Sequence, residues 1–425
     1  MSPAERDKPL RVCLEAFAST GTESGNDMSL AGLASGLCRL VDGNEEYIFF
    51  AGAEPNPLLQ EFMTGPCREF VLPRRTELPL KWKQAAKQLP GAAAVWRKVR
   101  CQVRKHRRKD WLLDSAGQLE STGADIVHFP RQAAYVTELP SIYQPHDLQH
   151  LHYPEFFSKE EYECREVRYR AFCQRAKLVV AMTSWGRQDL LRNYGLAEDK
   201  VAVVPHAPLL TPTPTQNELQ AAREKLRLPE AFIFYPAQTW RHKNHVGLLR
   251  ALATLRERDG IRVPLVCSGH RNNGFPQIES EIARLLLGEQ VQFVGYVAPV
   301  ELHCLYRLCR CMVFPSKFEG WGLPLLEAGA AGAPVVCSGV RPISDVVADA
   351  ALLFDPDRPS DIADALRRVW TDAVLRGELS RRGRQRALLF SWEKTARIYR
   401  AHYRKVAGRE LREEDHELLS EPPLV

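Results

Sequence analysis

Two carboxylates, Glu319 and Glu327, stand with seven residues between them in the stretch FPSKFEGWGLPLLEAGAAGAPVV at 314–336. Gly320, Gly322 and Pro324 take three of those seven places, and the glycines expose backbone. CMVFPS before it is a short apolar run of the buried-strand kind. Pro324 suits the first turn of a helix, where its missing N–H costs nothing. The helix is expected to weaken at Gly329 and Gly332, and PVVCSG opens another strand. A strand feeding a glycine loop and then a helix N-terminus is a place for an anion, because free N–H groups and the helix dipole point at it. A carboxylate beside that anion would repel it, so Glu319 and Glu327 are suited instead to accept hydrogen bonds from neutral hydroxyls. The chemistry implied is an anion flanked by polyols, a sugar on one side and a ribose on the other.

The elements that must carry such a site recur in two blocks. RVCLEAF, EYIFFAG, DIVHFP, SIYQPHD, KLVVAMT and VAVVPH read as strands in the first half, alternating with helical stretches. STGTESGND at 19–27 is a ligand-loop candidate without the full spacing of a dinucleotide fingerprint. APLLTPTPTQ at 207–216 reads as a linker. The pattern then restarts with FIFYPAQ, PLVCSGH, VQFVGYV, CMVFPS, PVVCSG and ALLFDP. The expected fold class is α/β, with two doubly wound parallel sheets facing across a cleft, ligands sitting at the carboxyl ends of the strands. The expected division is 1–207, 208–390, a closing helix at 391–407, and an acidic tail at 408–425 expected to be disordered.

Composition narrows the class. The 425 residues are 45% hydrophobic and 26% charged, with net charge +6, which is ordinary globular material for two domains. The eleven cysteines, an odd number, lack zinc-ligand spacing and read as small core residues in a reducing compartment. The charged opening does not match a secretory leader, and no window reaches the roughly eighteen uncharged apolar residues of a membrane span, so a cytoplasmic location is expected. Residues 81–110 carry eleven Lys or Arg before Asp110, interleaved with Trp82 and Trp96. An anionic membrane surface at 81–109 and a plainly solvated helical face both fit that run, and nucleic acid fits poorly because no nucleic-acid module accompanies it. His146 and His150 have a spacing that can hold zinc on a helix, but the surrounding prolines argue against the helix, so no metal is expected. Asp355-Pro-Asp357 follows a strand as a turn and reads as structural.

EGWGLPLLEAGAAGAPVV is close to the E-x7-E wording of the family 4 retaining glycosyltransferases, which have the GT-B fold. VQFVGYVAPVELHCLYRLCRCMVFPS and YPAQTWRHKNHVGLLRAL resemble the family's run before that motif and its diphosphate-binding loop. HDLQHLHYPEFFS resembles a bacterial polysaccharide branch, often mannosyltransferases, and SWEKTARIYRAHYRKV resembles the closing helix. The resemblance implies that Glu319 contacts the donor sugar and that backbone amides of Gly320, Trp321, Gly322 and Leu323 approach sugar and phosphates. It implies that Glu327 binds the ribose, that Lys243 binds the diphosphate, and that His146 lies near the reacting sugar. The family's usual arginine five residues before the lysine is Gln238 here, which leaves Arg241 or His242 to supply a second positive group. An acidic residue of the family aligns loosely with Asp345. The implied activity is metal-independent, retaining transfer of a hexose, mannose first and UDP-sugars close behind, from a nucleotide diphosphate sugar to a glycan or lipid-linked acceptor, without a cofactor. A catalytically silent binding protein and a nucleotide-sugar epimerase of the same fold are the alternatives.

Overall fold

The computed structural model describes residues 8–18, 25–72, 111–209 and 212–425. The basic run at 81–109 lies outside the described residues. In the first half, seven strands form one sheet: β1 (Leu10–Glu15), β2 (Glu45–Gly52), β3 (Cys67–Val71), β4 (Ile126–Phe129), β5 (Ser141–Tyr143), β6 (Leu178–Ala181) and β7 (Val201–Val203). Their order is β3-β2-β1-β4-β5-β6-β7, and every pairing is parallel. Six of these match the expected strands. The seventh, β3, escaped notice because CREFV mixes two charges into a half-exposed edge strand. SIYQPHD yields a strand of only three residues, since Pro145 and the left-handed His146 (φ 69°) end it.

The second half builds a six-stranded parallel sheet from β8 (Ile233–Pro236), β9 (Leu265–Ser268), β10 (Val291–Gly295), β11 (Cys311–Phe314), β12 (Val335–Ser338) and β13 (Ala351–Phe354). Its order is β10-β9-β8-β11-β12-β13. Most of these strands are buried, as near-continuous apolar runs between helical layers should be. In each sheet the chain winds outward in both directions from one central pair, β1/β4 in the first and β8/β11 in the second. Loops at such a reversal diverge to opposite faces and leave a crevice at the strand ends.

The helix Trp392–Val406 returns from the second half and packs on the helix Gly25–Leu37 of the first. Gly32 and Gly36 make this close approach feasible. A Cβ on Gly32 would lie 2.0 Å from Trp392, and one on Gly36 would lie 2.2 Å from the Trp392 carbonyl. The expectation of a disordered tail is corrected by the structure. Glu413–Ser420 is a helix, and Asp415 is fully buried. The buried Arg404 joins Glu45 (2.8 Å) to Asp415 (2.7 Å), and Arg400 joins Asp42 (2.5 Å) to Glu414 (3.3 Å). Acids of the tail that suggested disorder are paired with arginines eleven to seventeen residues upstream, and a tail composition alone does not reveal such partners. Breaking a buried pair leaves an uncompensated charge, so Asp415→Ala is expected to destabilise the protein by about 2–4 kcal/mol, read from denaturant unfolding.

Candidate active site

The crevices at β1/β4 and β8/β11 face each other across one cleft of about 1090 Å³. Every expected site residue lines it: His146, Gln238, Arg241, Lys243, Glu319, Gly320, Trp321, Gly322, Leu323 and Glu327. Lys243 and Glu319 hang from the loops that follow β8 and β11, adjacent strands at the reversal. Lys243 Nζ donates to Glu319 Oε1 at 2.6 Å, with the two side chains 18% and 13% exposed. The ammonium also lies 5.5 Å from the Phe314 ring centroid.

Local structure fixes this lysine. Arg241–Lys243 forms a single 3₁₀ turn, and the Lys243 carbonyl accepts from the Tyr235 hydroxyl at 2.6 Å. Asn244 follows in the left-handed conformation (φ 57°), which its short polar side chain tolerates. Its Oδ1 accepts from Gly247 N, capping the helix His245–Asp259. That cap is therefore the asparagine between the two histidines, His242 and His245. The Lys317 amide donates to the His242 carbonyl at 2.8 Å, tying the two site loops together. Gln238 Oε1 accepts from Trp240 Nε1 (3.0 Å) and Asn272 Nδ2 (2.8 Å), so this side chain braces the loop.

Glu327 sits in the helix Leu323–Ala331, whose first residue follows the left-handed Gly322 (φ 89°). A side chain at Gly322 would meet Leu325 at 2.7 Å as well as the positive φ. Tyr306 donates its hydroxyl hydrogen to Glu327 Oε2 at 3.0 Å. Burial pushes the Glu327 carboxyl up to about 7, with the Tyr306 hydrogen bond opposing. The helix ends at the left-handed Gly332, as the glycine pattern predicts.

His146 brings the first domain to the site. Its Nε2–H donates to the Pro130 carbonyl at 2.8 Å, which leaves Nδ1 as the acceptor nitrogen. Burial pushes its pKa down to about 4, so the ring is neutral at physiological pH. Its own carbonyl presses on the other domain: a Cβ built on Gly320 would lie 2.6 Å from His146 O. On either side of that contact the Glu319 loop plugs into the first domain. Phe318 packs among His152, Tyr153 and Trp185 with ring centroids 5.0–5.9 Å apart, and Trp321 packs against His206 and Phe390.

Other candidates separate from the cleft. His150 pairs with Glu166 at 3.2 Å. Asp345 pairs with Arg341 and does not line the cleft. Asp355 Oδ1 accepts from Asp357 N at 2.9 Å and Asp357 pairs with Lys317, which is the structural turn expected. No group of three or more His, Cys, Asp or Glu among the described residues could hold a metal ion. No described helix is long and apolar enough to cross a membrane. Sequence reasoning missed Tyr306, Phe318 and Asp147, all of which stand inside or beside quoted motifs, because nothing in a one-dimensional pattern shows what they face.

Two predictions follow from this geometry. Gly320→Ala should hold the domains apart at His146 and reduce turnover at least about tenfold while leaving each domain folded, checked by steady-state kinetics beside circular dichroism. Glu327 has a folded-state pKa above its ordinary 4.5, so between about pH 4.5 and 7 the folded protein binds more protons than the unfolded chain and stability falls as pH rises. At pH 8 Glu327→Gln should therefore stabilise the protein by roughly 1–2 kcal/mol, with the gain vanishing near pH 4, measured by chemical denaturation.

The comparisons with known proteins match both halves. Residues 216–386 match the family described as Glycosyl transferases group 1, and residues 50–207 match Glycosyltransferase Family 4. O-antigen chain mannosyltransferase B of Escherichia coli is 29% identical over 271 residues, covering 61% of this chain and 71% of the relative. Serotype-specific mannosyltransferase WbdA of Escherichia coli is 28% identical over 233 residues, covering 53% of this chain and 28% of that longer relative. The solved structure of Anabaena Alr3699/HepE in complex with UDP and glucose superposes with a TM-score of 0.67 at 16% identity, covering 93% of this chain and all of that one. With the two family descriptions matched in order along a chain folded as paired Rossmann-like domains, the protein belongs to the family 4 glycosyltransferases of the GT-B fold.

Proposed function

We propose that the protein is a retaining hexosyltransferase that moves mannose from a nucleotide diphosphate sugar to a glycan or lipid-linked acceptor in polysaccharide biosynthesis, without a metal. The observation that carries this reading is the Lys243–Glu319 pair at the β8/β11 reversal, facing His146 across the cleft. A diphosphate entering beside the backbone that opens the Leu323–Ala331 helix draws Lys243 from Glu319, and the released carboxylate then accepts from sugar hydroxyls. Glu327, braced by Tyr306, is placed one helical turn further in to accept from ribose hydroxyls. The bond between the anomeric carbon and the diphosphate oxygen breaks, and that oxygen leaves with the electron pair. Lys243 and the backbone amides meet the developing charge in place, each charge-assisted hydrogen bond contributing about 1.5–3 kcal/mol. The acceptor hydroxyl attacks from the face the diphosphate leaves, and its proton passes to a departing phosphate oxygen. A neutral His146 beside the sugar accepts through Nδ1 without placing a cation against the electron-poor anomeric carbon.

Mannose is favoured by the two mannosyltransferases among the relatives. A uridine donor is the second reading, favoured by the UDP in the superposed HepE structure. The cytoplasmic face of a membrane, where lipid-linked acceptors are elongated, is the proposed location.

The donor assignment is checked by thermal-shift titration against GDP, UDP and their sugars. A ligand at 100 times its dissociation constant should stabilise by about 2.7 kcal/mol, with GDP-mannose giving the largest shift. Glu319→Ala should abolish transfer to below about a hundredth of the wild-type rate in a product assay, since it loses the sugar contact and unpairs Lys243. Full activity in that variant would remove Glu319 from the mechanism, and an isomerised sugar in place of a linked product would point to an epimerase.

A further inference from the structure

The diphosphate site in the second domain has one strong cation, Lys243, where the chemistry of a departing diphosphate calls for two. Gln238 is neutral and its amide oxygen is already bonded to Trp240 and Asn272. His242 is unsuited, because burial, then Lys243 and Arg165, push its pKa down to about 2. Arg241 is exposed at the rim and lines a separate outer pocket as well as the cleft, so water screens its charge.

Arg165 is different. It stands on the first-domain helix Lys159–Arg175 and lines the same cleft as Trp240, His242, Lys243 and Glu319. Its guanidinium lies 4.8 Å from the centroid of the Phe157 ring, which fixes its plane. Of its five N–H donors, one reaches the Tyr169 hydroxyl at 3.4 Å, and no carboxylate among the described residues pairs with it. Glu161, one turn away on the same helix, spends its carboxylate on the Ser158 amide and hydroxyl. Asp147 is partly buried, accepts from Gln149 N, and is pushed above the usual carboxylate range by desolvation. A half-buried arginine on an aromatic ring, with most of its fork uncommitted, lining the same cleft as the 238–243 loop and close enough to depress the His242 imidazolium, is suited to take an anion.

We propose that Arg165 is the second cation of the donor's diphosphate site, supplied by the first domain in place of the arginine absent at position 238. The assignment rests on the nucleotide-sugar reading above. Its consequence is that the diphosphate is gripped from both domains, so donor binding itself holds the cleft shut.

The test is calorimetric titration of the full chain with GDP and UDP, and with GMP and UMP. Relative to wild type, Arg165→Gln should weaken the better-bound nucleoside diphosphate about tenfold or more and its monophosphate less than about threefold. Arg165→Lys should lie between, because a point charge cannot make the paired contact, and it serves as the folding-safe variant. Arg241→Gln should change diphosphate affinity less than about threefold. Gln238→Arg added to Arg165→Gln should restore part of the loss. Unchanged diphosphate binding in both Arg165 variants, or a loss in Arg241→Gln instead, would overturn the assignment and leave the nucleotide-sugar reading intact. Wild type that binds neither diphosphate would overturn that reading, and this assignment with it. A rise confined to the acceptor KM, with donor binding and donor hydrolysis unaltered, would also overturn it.

Discussion

The site depends on one seam, the contact of residues 318–321 with the first domain. Glu319 and His146 line one cleft, and these two residues belong to different sheets. Phe318 and Trp321 flank it and both insert into first-domain aromatic pockets. Between them the Gly320 backbone lies against the His146 carbonyl so closely that no side chain fits. Two buried aromatic anchors contribute several kcal/mol of apolar burial, and the glycine converts that attraction into a fixed short distance. The reacting groups are thus aligned by packing, not by direct bonds between them.

The seam also sets the electrostatics. The first-domain wall behind it holds the buried His128 and His206 and the partly buried His146, and desolvation pushes them down, to about 3, well below the ordinary value and about 4 in that order. They are stitched to the closing helix: Tyr399 donates to Gln144 Oε1 at 2.6 Å, Gln144 Nε2 donates to His206, and His128 Nδ1 lies 2.8 Å from the Tyr403 hydroxyl. Neutral imidazoles form one wall, and the cations Lys243, Arg165 and Arg241 line the cleft elsewhere.

The same helix explains why the chain end is ordered. Trp392–Val406 carries aromatic residues toward the first domain and arginines toward the acidic segment that follows. The helix Glu413–Ser420 straps it down through Arg400 and Arg404. The returning element is consequently held on both faces, which steadies Tyr399 and, through Gln144 and His206, the wall beside His146.

The strand pattern, the two-domain plan and the E-x7-E stretch were legible because each is a local property: apolar runs of strand length, glycines at turns, and a proline at a helix start. Edge strand β3 was not legible, since an edge need bury only one side and its charges broke the pattern. The acidic tail was misread because disorder was inferred from composition, whereas order came from arginines on a helix already packed elsewhere.

Residue order alone established which groups could do the chemistry and where backbone would be bare, since periodicity and glycine placement are enforced by sterics within a few residues. It could not establish which cations line the cleft, which ring fills which pocket, or that Lys243 meets Glu319. Those outcomes depend on where two sheets, joined by a short linker and a returning helix, come to rest against one another. That arrangement is set by shape-matched burial between segments more than a hundred residues apart.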